Sequence, residues 1–260
     1  MSLQGKVAVV TGSSRGIGKG LALALASEGA NVVVVGRTEA PGTSRFPGTI
    51  HQTVDEIKAQ GKGDAIAVRC DVTSQEDVEA LVKQALDAFG RIDVLVNNAG
   101  GSFSRASIVD MPVHRWNNVM NLNVNGVFMC CKFMLPHIIN QGGGSIINIS
   151  SGSAVSTAPQ GAAYAASKAA MERLSLVLAE EVRPYNISVV AYRPGGIKTE
   201  GAVYVNPKDM DWTGWGDIHS CGPSIVWLAQ QTAQTFTGQV VDRRSFGKTW
   251  GPAAQSGASG

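Results

Sequence analysis

Short apolar runs rich in β-branched residues recur along this chain, at residues 6–11, 31–35, 65–70, 94–97, 145–150, 187–192 and 239–242. They are apolar without alternation, the pattern of strands buried on both faces. Stretches of helical periodicity separate them, for example at 18–29, 74–90, 116–140 and 164–185. Regular alternation of strand and helix predicts an α/β fold: a doubly wound parallel sheet between two helical layers.

The 260 residues suffice for one such domain and not for two. It is expected over residues 1–251, with the small and polar residues 252–260 as a flexible tail. Hydrophobic residues make up 44% and charged residues 16%, which predicts a packed core rather than disorder. With 22 basic and 20 acidic side chains and no basic run, nucleic acid is not an expected partner. Cys70, Cys130, Cys131 and Cys221 form no C-x-x-C and have no His cluster beside them, so no metal site is expected. They read as free thiols of a reducing, cytoplasmic compartment. No apolar segment follows Met1 as in a secretory leader, and neither a span nor a membrane partner is expected.

Two helical stretches, 122–139 and 171–182, are apolar nearly all round. A helix on one side of a sheet needs only a stripe. The surplus is assigned to a subunit interface, with deeper burial in the monomer as the alternative.

The first strand runs into Thr11-Gly12-Ser13-Ser14-Arg15-Gly16-Ile17-Gly18. Glycines let backbone approach a pyrophosphate, and a helix N-terminus offers free N–H groups with partial positive charge. Gly12, Ser14, Arg15, Gly16, Ile17 and Gly18 are therefore cofactor-facing candidates. The spacing differs from G-x-G-x-x-G; position between strand and helix gives it weight. Arg37 and Thr38 follow the second strand, where a carboxylate would select a ribose diol and a basic group a 2′-phosphate. Arg15 can reach the same phosphate. Two arginines favour NADP(H), with NAD(H) possible, unless they are solvated surface residues. Asp71, with Val72 beside it, contacts the adenine edge or caps the next helix. Asn98, Ala99 and Gly100, after the strand at 94–97, offer small residues against which a nicotinamide can pack.

Tyr164 and Lys168 are i and i+4 on a predicted helix and share a face. A tyrosine titrates near ~10, so catalysis near neutrality asks ~3 units of phenolate stabilisation, about 4 kcal/mol. A nearby ammonium and an oxidised nicotinamide both act in that direction. Ser151, or Ser150, lies at the carboxyl edge of the sheet and can donate to a substrate oxygen. Asn123, inside an apolar helix, either holds a water that relays protons to Lys168 or fills a kink.

In this order the motifs resemble the short-chain dehydrogenase/reductase family over about residues 5–242. T-G-x-x-x-G-x-G, N-N-A-G, the helix Asn, the Ser and Y-x-x-x-K all fall in place. The resemblance implies a Rossmann-like fold and a tetrad of Asn123, Ser151, Tyr164 and Lys168. It selects Ser151, thirteen residues before Tyr164, over Ser150. It implies that Pro194, Gly195, Ile197 and Thr199 approach the nicotinamide carboxamide. It also implies a homotetramer or homodimer and oxidoreduction between a secondary alcohol and a ketone or aldehyde. Departures are Val190, Arg193 before Pro-Gly, Asp242-Arg243-Arg244 in place of D-G-G, and a long stretch at 39–53. The G-T-I-H-x-T-V-x-E-I run from Gly48 resembles the hydroxysteroid-dehydrogenase-like branch. Alternatives are a 3-ketoacyl-carrier-protein reductase, which needs basic residues on the long helices where Met129 and Tyr185 stand, with Lys132 and Arg183 close by, and a non-catalytic NADP-binding regulator.

Substrate-facing candidates are Ser102, Gly196, Tyr204, Trp212 and Trp215. The loop after Thr199 is aromatic and nearly neutral, which favours a small apolar carbonyl or alcohol substrate. Alternatively, the tryptophans only pack the loop down.

Overall fold

The structure, a computed structural model, describes residues 2–102 and 105–252. The expected tail lies outside the described residues from 253 onward. The strands are β1 (Val7–Thr11), β2 (Asn31–Gly36), β3 (Ala65–Arg69), β4 (Val94–Asn97), β5 (Gly144–Ile149), β6 (Ile187–Arg193) and β7 (Gln239–Asp242). They form one sheet in the order β3-β2-β1-β4-β5-β6-β7, every pair parallel. The helices are α1 (Gly16–Ser27), α2 (Ile50–Gln60), α3 (Gln75–Phe89), α4 (Val113–Met120), α5 (Gly126–Asn140), α6 (Ala162–Val182), α7 (Glu200–Val205) and α8 (Gly222–Ala229).

Successive strand residues point to opposite faces, and both faces are apolar. Ala8, Val10, Val32, Val34, Val94 and Val96 join a core with residues of α1, α2 and α8. Val7, Val9, Val33, Val35 and Leu95 join a second core with residues of α3, α5 and α6. This two-sided burial is why the strands read as continuous apolar runs. The chain turns from β1 outward to β2 and β3, then crosses back to β4. The crevice above the carboxyl ends of β1 and β4 is therefore the switch point where ligands bind in such sheets.

At the opposite edge, Asp93 locks the feet of β1 and β4. It accepts from Val7 N at 3.0 Å, Lys6 Nζ at 2.9 Å and Arg91 Nε and Nη2 at 2.7 and 2.6 Å. Burial opposes its charge, but these bonds outweigh burial and hold the carboxyl below its usual range.

The helix expected at 116–140 begins three residues earlier and is interrupted. Asn121–Asn125 makes a π-turn between α4 and α5. The 113–140 segment is long and apolar enough, by length and composition, to cross a membrane, with mean hydropathy 1.3 over its best window. In this fold its inner residues Val127, Cys130, Cys131, Met134 and Ile138 pack into the second core. The surplus apolar face has two fates. Leu122, Met129, Phe133, Leu135, Ile139 and Leu174 are partly covered within the monomer. Phe128 on α5 and Val177 on α6 remain 50% and 45% exposed.

Candidate active site

Gly12 ends β1 with φ +65° and Gly16 opens α1 with φ +54°, a left-handed backbone that glycine adopts without strain. Gly18 is demanded by contact: a Cβ there would lie 2.3 Å from both Asn98 Nδ2 and Gly12 O. Asn98 Nδ2 donates to Thr11 O and Gly12 O at 2.9 and 3.1 Å. Asn98 N and Ala99 N both donate to Thr11 Oγ1. The glycine loop and the N-N-A-G turn are thus one packed unit. No side chain caps α1, whose first turn holds no carboxylate of its own. Its free N–H groups and a cradle that any Cβ would fill fit the pyrophosphate of a dinucleotide. Ser14 is buried and Ile17 partly so.

Thr199 reaches this loop from the far side. Its methyl lies 3.4 Å from where a Gly16 Cβ would stand, and its Oγ1 caps α7 by accepting from Ala202 N. Glu200 follows it and approaches the same place; its Oε2 is buried with no hydrogen-bond partner. Pro194 O accepts from Arg243 Nε at 2.7 Å, Gly195 has φ +73°, and Ile197 is buried. The segment 194–199 therefore brings Thr199 and Glu200 against the glycine loop.

The adenosine-side residues are more engaged than expected. Arg15 donates to Ser44 Oγ, Thr38 Oγ1 and Gly48 O at 2.7 to 2.9 Å. Its guanidinium braces the long 38–48 loop against the glycine loop instead of standing free beside a phosphate site. Arg37 is 63% exposed and pairs with Asp71 at 3.1 Å. Asp71 also accepts from Thr73 N and Oγ1, but the cap of α3 is Ser74. The helix-cap alternative for Asp71 is thereby corrected: Ser74, three residues later, takes the position. Val72 is buried against Gly126 at the start of α5.

Tyr164 and Lys168 share the inward face of α6. The Tyr164 hydroxyl faces Ser151, whose Oγ accepts from Ser153 N at 3.1 Å and donates to Ser153 Oγ at 3.2 Å, and the Lys168 ammonium lies 5.7 Å from the Tyr164 ring centre. Lys168 is 5% exposed and donates to Ile149 O at 2.7 Å. Burial pushes its pKa down to about 8, and the Glu172 carboxylate one turn on works against that fall. Burial raises the Tyr164 pKa, and the bond to Ser151 works to lower it.

Asn123 is fully buried in the π-turn. Its Oδ1 accepts from Gly101 N at 3.0 Å, and its Nδ2 donates to Gly101 O and Ser167 Oγ at 2.9 and 3.0 Å. A Gly100 Cβ would sit 2.7 Å from Asn123 Oδ1 and 3.4 Å from Lys168 Nζ. Asn123 therefore holds the strand end that faces Lys168. Its bonds to Gly101 and Ser167 brace the π-turn, as the kink-filling reading asks.

Of the substrate-facing candidates, Ser102 is partly buried beside Gly101. Trp215 lies on the Gly196 backbone, with ring carbons about 3 Å from where a Cβ would stand. Trp212 packs edge-on against Trp215 at 4.9 Å, with Lys198 over its ring. A cleft of about 530 Å³ opens beside α7, lined by Phe46, Pro47, Lys198, Thr199, Glu200, Val203 and Tyr204. Its aromatic walls are Phe46 and Tyr204, edge-on at 5.4 Å, with Arg45 over both rings. Phe46 was not a candidate from sequence; a loop at 39–53 longer than its relatives' was the available signal.

The short chain dehydrogenase family pattern matches residues 6–209. A short chain dehydrogenase/reductase of Aspergillus oryzae is 34% identical over 252 residues, covering 92% of this chain and 94% of its own. A 3-oxoacyl-[acyl-carrier-protein] reductase of Synechocystis sp. is 36% identical over 244 residues, covering 92% and 95%. Among solved structures, a 7α-hydroxysteroid dehydrogenase complexed with NADH and 7-oxo glycochenodeoxycholic acid superposes with a TM-score of 0.81. It is 31% identical and covers 93% of each chain. Sequence pattern, sheet order and relatives agree: this chain belongs to the short-chain dehydrogenase/reductase family and is an oxidoreductase of alcohol and carbonyl groups.

Proposed function

We propose that this enzyme reduces an apolar ketone or aldehyde to an alcohol with NADPH, and reverses the reaction with NADP⁺. The observation that carries the reading is the Ser151–Tyr164 hydroxyl pair with a buried Lys168 ammonium one helical turn away. A bound nicotinamide dinucleotide supplies the hydride. Ser151 donates a hydrogen bond to the substrate carbonyl oxygen and polarises it. Tyr164 gives its proton to that oxygen as the alkoxide forms and takes it back in the reverse direction. Lys168 stabilises the phenolate left behind and orients the nicotinamide ribose. Asn123 fixes the Gly100–Gly101 turn that closes the pocket behind Lys168.

Arg37 carries the cofactor preference, with the Arg15 charge behind it. Arg37 is the exposed cation after β2, and a 2′-phosphate competes with Asp71 for its donors. The substrate class is supported by the nearly neutral, aromatic segment after Thr199, with Tyr204, Trp212 and Trp215. Catalysis on a carrier-bound 3-oxoacyl group is the second reading, favoured by the Synechocystis relative. Against it, Arg183 is already paired with Glu180 at 2.6 Å on the helix that would meet an acidic carrier. All four residue types of the tetrad are kept, which speaks against a non-catalytic regulator. Four buried cysteines without disulfides support a reducing, cytoplasmic setting.

We place Phe128 and Val177, half-exposed apolar side chains on α5 and α6, in a two-fold interface of a homodimer or homotetramer. Static light scattering at micromolar concentration is expected to give a multiple of 27.1 kDa. A stable monomer would remove this assignment.

Two kinetic experiments test the chemistry. Tyr164→Phe is expected to lower turnover on a reducible ketone by about a thousandfold or more while NADPH binding, followed by fluorescence, stays near wild type. Retention of most activity would show that Tyr164 is not the proton donor. For the cofactor, NADPH should bind about tenfold better than NADH, the weight of a charged hydrogen bond of about 1.5 kcal/mol. Arg37→Asp should abolish that difference; equal wild-type affinities would contradict it.

A further inference from the structure

Three successive residues at the end of β5 grip three successive turns of α6. Ser151 faces the Tyr164 hydroxyl, and Ile149 O accepts from Lys168 Nζ at 2.7 Å. Ser150 Oγ donates to Glu172 Oε1 at 2.6 Å. Residues 164, 168 and 172 are spaced by four and lie on one helix face. The third contact is anchored by an ion pair. Arg193 Nε and Nη2 reach the two Glu172 oxygens at 2.7 Å each, a bidentate fork. Glu172 is 8% exposed, and the side chain of Arg193 20%.

Arg193 is the last residue of β6 and stands directly before Pro194. The pair therefore joins the helix of Tyr164, the strand end of Ser151 and the 194–199 segment in one node. It also sets the charge around Lys168. On the same helix Lys168 faces Tyr164 and Glu172. From other elements it meets Gly100 after β4, which Asn123 of the π-turn also crowds, and Ile149 O at the end of β5. Arg193 on β6 acts on it through Glu172, and Asp242 on β7 acts on Arg193 while holding Arg244. The carboxylate that acts on Lys168 is that of Glu172.

We propose that Glu172 and Arg193 are a positioning dyad. They fix the height of β5 against α6, so that Ser151 meets Tyr164, and they balance the charge that Lys168 experiences. The proposal rests on the reading of Tyr164 as proton donor.

The opposed charges give a test with opposed signs. Carbonyl reduction needs protonated Tyr164 and charged Lys168, so it fades as pH rises through the alkaline limb. Glu172→Gln removes the negative charge and leaves Arg193 unpaired, which makes Lys168 lose its proton at lower pH. Arg193→Met leaves Glu172 uncompensated and has the reverse effect. The measurement is kcat/KM for ketone reduction against pH in the full-length protein with saturating NADPH, alongside thermal melts. The limb is expected to move down by about half a unit or more in Glu172→Gln and up in Arg193→Met. Each variant is expected to lose about tenfold in kcat, while the KM for NADPH changes by less than about threefold. The double variant Glu172→Met/Arg193→Met removes both charges. It is expected to return the limb near wild type while kcat stays low.

Folded single variants whose limbs stay put, or move the same way, overturn the proposal. If a single variant fails to fold, the double variant decides: wild-type kcat there overturns it equally. A wild-type protein that reduces no ketone, or a fully active Tyr164→Phe, would defeat the functional reading itself before these variants are compared.

Discussion

A buried ammonium, that of Lys168, sits at the centre of the site, and most of what surrounds it follows from keeping it there. An isolated buried charge is expensive unless hydrogen-bonded and balanced. The carbonyl of Ile149 supplies the bond and Glu172 the balance. The bond to Ile149 pins α6 to the end of β5, and with it the Ser151–Tyr164 pair. Gly100 must be small because Asn123 Oδ1 and Lys168 Nζ both crowd its α-carbon. The carboxyl edges of β4, β5 and β6 and the inner face of α6 are thus organised around one cation.

The second organising contact is the close approach of the glycine loop to the turn after β4. Asn98 satisfies carbonyls of Thr11 and Gly12, and Thr11 Oγ1 satisfies two N–H groups in return. This contact crosses from β1 to β4, the reversal point of the sheet. The glycine-loop cradle and the Ser151–Tyr164 pair therefore lie on the same edge, the arrangement that the proposed oxidoreduction requires. Thr199 closes the cradle from α7, and the 38–48 loop, held by Arg15, bounds it on the adenosine side.

Much of this was legible in the residues. Two-sided burial forces β-branched runs, so the strands at 31–36 and 94–97 stand within a residue of where the apolar runs placed them. The i, i+4 spacing of Tyr164 and Lys168 states a shared face directly. Other features leave no local trace. A π-turn at 121–125 shifts backbone hydrogen bonds without needing a particular residue, so Asn123 looked like a polar intruder in an ordinary helix. Glu172 and Arg193 are 21 residues apart, and their pairing depends on the packing of α6 against β6. Arg193 was visible only as an odd residue before Pro-Gly. Arg15 and Trp215 have bland local sequences too; tertiary contacts with the 38–48 loop and with Gly196 decide where their side chains go.

The central claim is that this edge carries a hydride to a carbonyl carbon while Tyr164 protonates the oxygen. Its most direct test is reduction of an apolar ketone with NADPH bearing deuterium at C4 of the nicotinamide, prepared separately as each epimer. One epimer should deliver deuterium to the carbinol carbon, seen by NMR or mass spectrometry, and the other should retain its label on the oxidised cofactor. Product alcohol without deuterium from either epimer, with the label washed into solvent, would contradict the account.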